Sequence, residues 1–356
     1  MLGDFWPMKI QASVPFVLEW YGSGLGMAWI DWLIMSAVFY LVTAIMGPVG
    51  CAAEAAARVE ARVRQDQDTV GWVRPGIEGV GLSHHTFASK LVNGPVSYLL
   101  YRPPDYEQAA QHRYPVVYWL HGVAAGQASM ARFAARLDTA IRAGKTPPMI
   151  VVFVNGLRGS MYCDSADNAV PVESVIIDEL IPHVDEGYRS IARREGRIIE
   201  GFSMGGFGAT HLGFKYPDRF GAVSCIAGAL YTGDSLSNGP RAIDKAIFAS
   251  VFGNDKDRFE AQSPWNLVEK NVQQIRGRML VRIVVGDRDR LLARNREYHL
   301  LLDRLGVAHG FRIVAGVGHS PSAVYDALAD ANWSFYRAAA QQAAAPAGQL
   351  PQTEGP

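Results

Sequence analysis

The chain has 356 residues, enough for one large α/β domain or two smaller ones around a well-filled core. Lys plus Arg number 34 and Asp plus Glu number 34, so the formal net charge is zero and no broad basic field exists to select nucleic acid. The three cysteines, Cys51, Cys163 and Cys225, form neither a Cys-x-x-Cys pair nor the Cys/His spacing of a zinc site. That argues against a disulfide framework or structural metal as the organising device. Cys163 and Cys225 read as two unpaired buried thiols, with a single Cys163–Cys225 disulfide as the alternative in an exported protein.

The largest shift in composition comes early. Residues 32–53 carry no charge, and 32–46 (WLIMSAVFYLVTAIM) are apolar apart from Ser36 and Thr43. The run has the character of a signal-peptide apolar region, with Ala-rich sequence after Gly50 to supply a cleavage site. As a membrane span it is marginal against the ~20 apolar residues a bilayer needs, because Gly47, Pro48 and Gly50 interrupt its end. A cleaved signal is favoured over an anchor. Either one implies an exported (periplasmic or extracellular) or membrane-anchored protein, with membrane association through residues 32–53. Against simple export stand Asp4, Glu19 and Asp31 facing a single Lys9 before the run, and Arg58, Arg62 and Arg64 after it. Val49-Gly50-Cys51 has part of a lipidation box, with Pro48 where an aliphatic residue belongs.

Residues 54–67 read as an Ala/Arg/Glu helical stretch, and Gly71, Pro75 and Gly76 then punctuate the chain. This divides the sequence into an N-terminal segment 1–53, a linker 54–75, a catalytic domain 76–337 and an Ala/Gln/Pro-rich disordered tail 338–356. Within the domain, strands are predicted at 86–91, 96–101, 116–120, 149–154, 198–200, 222–227, 281–285 and 311–314. Helices are predicted at 129–143, 172–188, 205–216, 295–305 and 323–340. Strand and helix alternate, which is the signature of an α/β fold with a mostly parallel central sheet and helices on both faces.

The chemistry concentrates in Gly201-Phe202-Ser203-Met204-Gly205-Gly206, set between a buried strand and a helix. A serine on such a tight turn is presented as a nucleophile, and side chains at Gly201 or Gly205 would clash across the turn. A serine hydroxyl needs a base and an orienting carboxylate. His319, in Gly316-Val317-Gly318-His319, is the histidine that follows the last strand, and Gly286-Asp287-Arg288-Asp289 follows the strand before it. Spacing does not choose between Asp287 and Asp289. The other histidines read as packing or surface residues, and His84 and His85 have no third ligand nearby for a metal. An oxyanion needs two backbone N–H donors: Met204 follows the nucleophile, and Val123 lies beyond Trp119-Leu120-His121-Gly122, where Gly122 lets the backbone approach. His121 is expected to support that loop by hydrogen bonding.

Elbow, acid loop, histidine loop and His-Gly loop fall in order, and further stretches join them: Tyr98-Leu99-Leu100-Tyr101-Arg102-Pro103-Pro104-Asp105-Tyr106, Tyr114-Pro115-Val116-Val117-Tyr118-Trp119-Leu120-His121-Gly122 and Tyr216-Pro217-Asp218-Arg219-Phe220. From about residue 86 to 336 the chain resembles the esterase D-like family of α/β-hydrolases, which includes feruloyl and acetyl-xylan esterases, S-formylglutathione hydrolases, enterochelin esterases and mycolyltransferases. The resemblance implies an α/β-hydrolase fold and a serine carboxylesterase acting on a small-molecule or polymer-linked ester, with Ser203, Asp289 and His319 catalytic and with no cofactor or metal. It places the acid on Asp289. The alternatives it leaves are an acyltransferase with an alcohol acceptor and a non-catalytic binding protein on the same fold. Substrate contacts are expected from Gly122, from Tyr162 in the 155–168 segment, and from Trp265 in the long 231–277 insertion, where the fold carries a lid.

Overall fold

The computed structural model describes residues 71–123 and 128–345. By its backbone contacts the chain divides after Glu54, and only the second unit, residues 55–356, contains described residues. The apolar run 32–53, the helical stretch 54–67 and residues 346–356 of the expected tail lie outside them. Among the described residues no helix is long and apolar enough to cross a membrane.

Eight strands form one sheet: β1 Leu82–Ser89, β2 Gly94–Tyr101, β3 Val116–Leu120, β4 Ile150–Val154, β5 Arg197–Phe202, β6 Ala222–Ile226, β7 Leu280–Gly286 and β8 Gly310–Val314. Their order is β1-β2-β4-β3-β5-β6-β7-β8. The first two junctions are antiparallel and the remaining five parallel. The inner strands read as unbroken apolar runs because both of their faces are buried. In β3, Val116, Tyr118 and Leu120 enter one core while Val117 and Trp119 enter the other. β4 repeats this with Ile150, Val152 and Val154 against Val151 and Phe153. The first strand begins four residues earlier than the sequence suggests, because residues 82–85 complete a hairpin with 98–101.

One face is covered by α1 (Ala128–Arg142), α10 (Pro321–Leu328) and α11 (Ala331–Ala344), through Phe133, Leu137, Val324, Trp333 and Tyr336. The other carries α2, α3 (Met204–Lys215) and α9 (Leu292–Arg304). Here α2 is a continuous run of Val172–Ser174, Val175–Leu180 and Ile181–Gly187 whose middle is π-helical. Pro182 has no N–H to give the Asp178 carbonyl, and just ahead of it the ladder shifts to a bond from Ile181 N–H to Ile176 O. The 231–277 insertion folds into five short helices on the α3 side: α4 Gly233–Ser237, α5 Ala242–Phe252, α6 Lys256–Gln262, α7 Pro264–Lys270 and α8 Val272–Ile275.

Two expected boundaries are corrected. The linker does not run to residue 75: the Gly71 and Trp72 carbonyls accept from Asn155 Nδ2 at 2.6 and 3.1 Å, and Trp72 O also accepts from Ser97 N at 2.7 Å, so the domain already holds them. The tail does not start at 338, because α11 continues to Ala344. Ala339 and Ala343 extend the buried stripe of Tyr336 at helical spacing, and alanine pays little entropy to do so. Small residues with a packing role look like low-complexity sequence until their partner surface is known. The predicted helix 323–340 is instead two helices, broken at Ala329 with φ 46°.

Candidate active site

The carboxyl end of β5 delivers Ser203 into the turn before α3. Ser203 adopts φ 60°, ψ −114°, outside the range a side chain ordinarily accepts. Its neighbours make that turn feasible. A Cβ on Gly201 would lie 2.0 Å from the Gly205 carbonyl oxygen, and one on Gly205 would lie 2.0 Å from the Leu120 carbonyl oxygen, both fixed backbone. Ser203 N–H donates to Ile226 O at 3.0 Å, and its carbonyl accepts from Ala229 and Phe207, which locks the strained residue between β6 and α3.

The β8–α10 loop brings His319 to this serine. His319 Nε2 lies 2.9 Å from Ser203 Oγ, and Nδ1 lies 2.8 Å from Asp289 Oδ2. The Asp289 carboxylate is fully buried, and its other oxygen accepts Leu291 N–H at 2.8 Å. A buried carboxylate can only accept, so Nδ1 carries the imidazole proton and Nε2 presents its lone pair to the hydroxyl. The choice that spacing left open is thereby resolved: Asp287 is exposed to solvent, and Asp289 is the carboxylate on His319. Phe202 packs against the imidazole, ring centroids 4.6 Å apart.

Ser203 and His319 line a cleft of about 450 Å³ together with Gly122, Val123 and Met161. Met204 opens α3, so its N–H has no intrahelical acceptor and belongs to the positive end of the helix dipole. Gly122 passes so close over Ser203 that an added Cβ would sit 3.2 Å from Ser203 Cβ. The loop is held from below. His121 donates from Nδ1 to Gly122 O at 2.8 Å and accepts Gly156 N–H at Nε2 at 3.2 Å. Burial lowers its pKa to about 4, which keeps this tautomer neutral.

Two expected substrate contacts are not in the cleft. Tyr162 is fully buried and donates to His121 O at 3.0 Å, with its ring filling the space beside Gly156 and Gly208. It props the Gly122 loop, and Met161 takes the place in the wall. Trp265 donates from Nε1 to Leu230 O at 3.3 Å and packs edge-on against Tyr298 at 4.9 Å, so its ring is consumed in seating the insertion. Large aromatic side chains contribute most when fully packed, which is why an aromatic in an insertion is a poor sign of a binding wall.

Several groups around the site carried no signal in the sequence. Tyr231, Arg241, Asp244 and Arg290 from the far side of the cleft, and Arg132 from α1, complete its lining. Beneath the α10–α11 face, buried Glu200 accepts from Arg282, Tyr325 and Tyr336, at 2.7, 2.6 and 2.7 Å. On the opposite face Glu173 meets His211 at 2.7 Å and Lys215 at 2.6 Å, with Cys163 Sγ 3.6 Å from the same imidazole. Among the described residues two groups have the side chains of a metal site, Cys163/Glu173/His211 and His299/Asp303/His309, and neither lines the cleft. His211 has both ring nitrogens engaged, by Glu173 and by Gln262 O. Cys163 and Cys225 are buried and free.

The Esterase family profile matches residues 89–344, the whole span from the end of β1 to the end of α11. The chain belongs to the Esterase family. It is 30% identical over 204 residues to an endo-1,4-beta-xylanase/feruloyl esterase of Xylanibacter ruminicola, a stretch that covers 55% of this chain and 27% of the relative. It is 33% identical over 129 residues to an esterase of Mycobacterium tuberculosis, covering 35% of this chain and 27% of that one. The match thus spans about a quarter of the length of these curated relatives. A solved ferulic acid esterase superposes with a TM-score of 0.60 at 24% identity, covering 73% of this chain and 97% of the other. The α/β-hydrolase architecture implied by the sequence resemblance is the one this family member adopts.

Proposed function

We propose that the protein is a serine carboxylesterase that cleaves its substrate through an acyl-enzyme on Ser203. The observation that carries this reading is the continuous hydrogen-bonded relay Ser203 Oγ–His319 Nε2, His319 Nδ1–Asp289 Oδ2, at 2.9 and 2.8 Å, opening on a cleft. As Ser203 Oγ attacks the ester carbonyl, His319 Nε2 takes its proton, and the buried Asp289 carboxylate stabilises the imidazolium so formed. The backbone N–H groups of Met204 and Val123 receive the developing oxyanion. Collapse expels the alcohol, protonated by His319. Water, deprotonated by the same nitrogen, then attacks the acyl-enzyme; the acyl–Oγ bond breaks, His319 returns the proton to Ser203 Oγ, and the carboxylic acid is released. The apolar wall of Trp119, Met161 and Phe202 accommodates an aromatic or short acyl group, in keeping with the feruloyl esterase name of a relative. The charge-free run 32–53 supports delivery of this activity outside the cytoplasm or at a membrane.

The test is hydrolysis of acetyl, feruloyl and long-acyl esters, with fluorophosphonate labelling to count reactive serines. Ser203→Ala and His319→Ala should each lower kcat/KM by roughly a thousandfold or more, and Ser203→Ala should abolish labelling. Full activity in Ser203→Ala would refute the assignment. Product analysis with an added sugar or glycerol acceptor distinguishes hydrolysis from acyl transfer, and fractionation of cells expressing the full chain locates it.

A further inference from the structure

The chain as a whole is neutral, with 34 basic and 34 acidic residues, but its cleft is not. Arg132, Arg241 and Arg290 line it, and against them Asp244 is the one carboxylate in the lining among the described residues. Asp244 is nearly inaccessible and already committed, pairing with Arg241 through both oxygens, while Arg241 also donates to Tyr231 OH at 2.6 Å. Two guanidinium groups remain uncompensated. Elsewhere arginines of this protein find partners, as Arg136 does with Asp326, Arg197 with Asp185 and Arg282 with Glu200. Among the described residues Arg132 and Arg290 have no carboxylate partner, and both line the same cavity at its solvent-exposed margin.

Their places in the fold are as telling as their charge. Arg290 directly follows Asp289, the carboxylate on His319, and shares the cleft lining with Tyr231 and Arg241 of the insertion. Arg132 comes from the first turns of α1, beside Ser129 in the cleft lining. The nucleophile lies in the same cavity between low-dielectric walls of Phe202, Ile247 and Trp119, an arrangement that focuses the field of the arginines on whatever enters. Planar guanidinium forks match a carboxylate in two parallel hydrogen bonds, which a neutral ester group cannot offer.

We propose that this cleft is built for an ester that carries a carboxylate away from its scissile bond, with Arg132 and Arg290 as the residues that select it. The proposal rests on the esterase reading above and adds the chemical class of the substrate. Acyl transfer to water is unchanged; only recognition of the substrate's second, charged end is assigned.

The test uses the full chain and two matched pairs of esters. One pair places the charge on the acyl half, p-nitrophenyl glutarate half-ester against p-nitrophenyl hexanoate. The other places it on the leaving group, p-acetoxybenzoate against its methyl ester. For at least one pair, the ratio of kcat/KM, anionic over neutral, should fall about tenfold in Arg132→Gln/Arg290→Gln, as expected for the loss of charge-assisted pairing in a partly open site. It should fall similarly for the wild-type protein between low salt and about 0.5 M salt. Active sites are counted with a fluorophosphonate, so misfolded protein drops out, and the single variants and the salt series carry the test if the double variant does not fold. Ratios that neither the substitutions nor salt move would overturn the proposal while leaving the esterase reading intact. Hydrolysis of no ester by any form would overturn both.

Discussion

Glu173 holds three donors in the protein interior at once, and replacing it by leucine tests how charge is managed beneath the insertion. Its Oε2 meets His211 Nε2 at 2.7 Å, while Oε1 takes Lys215 Nζ at 2.6 Å and the Tyr216 hydroxyl. His211 Nδ1 meets the Gln262 carbonyl at 2.8 Å. Both imidazole nitrogens therefore face pure acceptors, which requires a proton on each. Burial by itself would depress the His211 pKa, but Cys163 and Glu173 outweigh it and hold it at about 10. Burial likewise works against the Glu173 charge, and His211 with Lys215 brings that carboxyl to about 2. The two shifts describe one interaction and are not added. Glu173→Leu strands the buried imidazolium, a change that costs about 3–5 kcal/mol. With an unfolding entropy of about 2.1 cal/mol/K per residue, a domain of this size should lose roughly 5–9 °C in Tm. The pH dependence has a definite sign. A histidine whose folded pKa lies above its unfolded value stabilises fully below pH 6.5, and that contribution is lost as pH rises toward about 10. Calorimetric melts of wild type and variant across that window should therefore converge as pH rises. Glu173→Leu/His211→Leu, which removes both charges, should recover part of the loss. A single variant as stable as wild type at pH 6, or one with the same pH slope as wild type, refutes the account.

Four further outcomes follow from the site's support and from the seating of the insertion. Gly205→Ala drives a methyl to 2.0 Å from the Leu120 carbonyl, and folded protein with a fluorophosphonate-reactive Ser203 should be absent; normal labelling would contradict the packing of the elbow. His121 is neutral when folded, with a pKa near 4 against 6.5 unfolded, so its contribution is present above pH 6.5 and lost as pH falls toward 4, by about 3 kcal/mol. Urea midpoints at both ends of that range should show the slope in wild type and a shallower one in His121→Gln. Tyr162→Phe deletes the bond to His121 O and should cost about 1 kcal/mol while lowering kcat with little change in KM; Trp265→Phe should lower Tm yet leave the ranking of ester substrates as it was, and a reordered ranking would return Trp265 to the cleft.

Local rules made most of the scaffold and the turn that carries Ser203 legible. Period-two burial on both faces produces the apolar runs of β3, β4 and β5, and a serine between a strand and a helix with glycines on either side has few other conformations to adopt. The order of the later loops likewise put His319 and an aspartate where one strand end could gather them. The choice of Asp289 over Asp287 by backbone geometry depended on which of two residues in one turn points inward, a difference that only the packed loop expresses.

What the sequence by itself determined is the backbone path that ends at Ser203, because strand period, turn chemistry and helix start are all written within a few residues of each other. Only the tertiary structure decided what surrounds that serine. Tyr162 and Trp265 passed from wall to support because burial of an aromatic depends on partners 30 or more residues away, at His121, Leu230 and Tyr298. Arg132 and Arg290 entered the cleft, and Glu200 and Glu173 acquired their donors, for the same reason: charge acquires meaning from neighbours in space, and those neighbours come from segments that the chain keeps far apart.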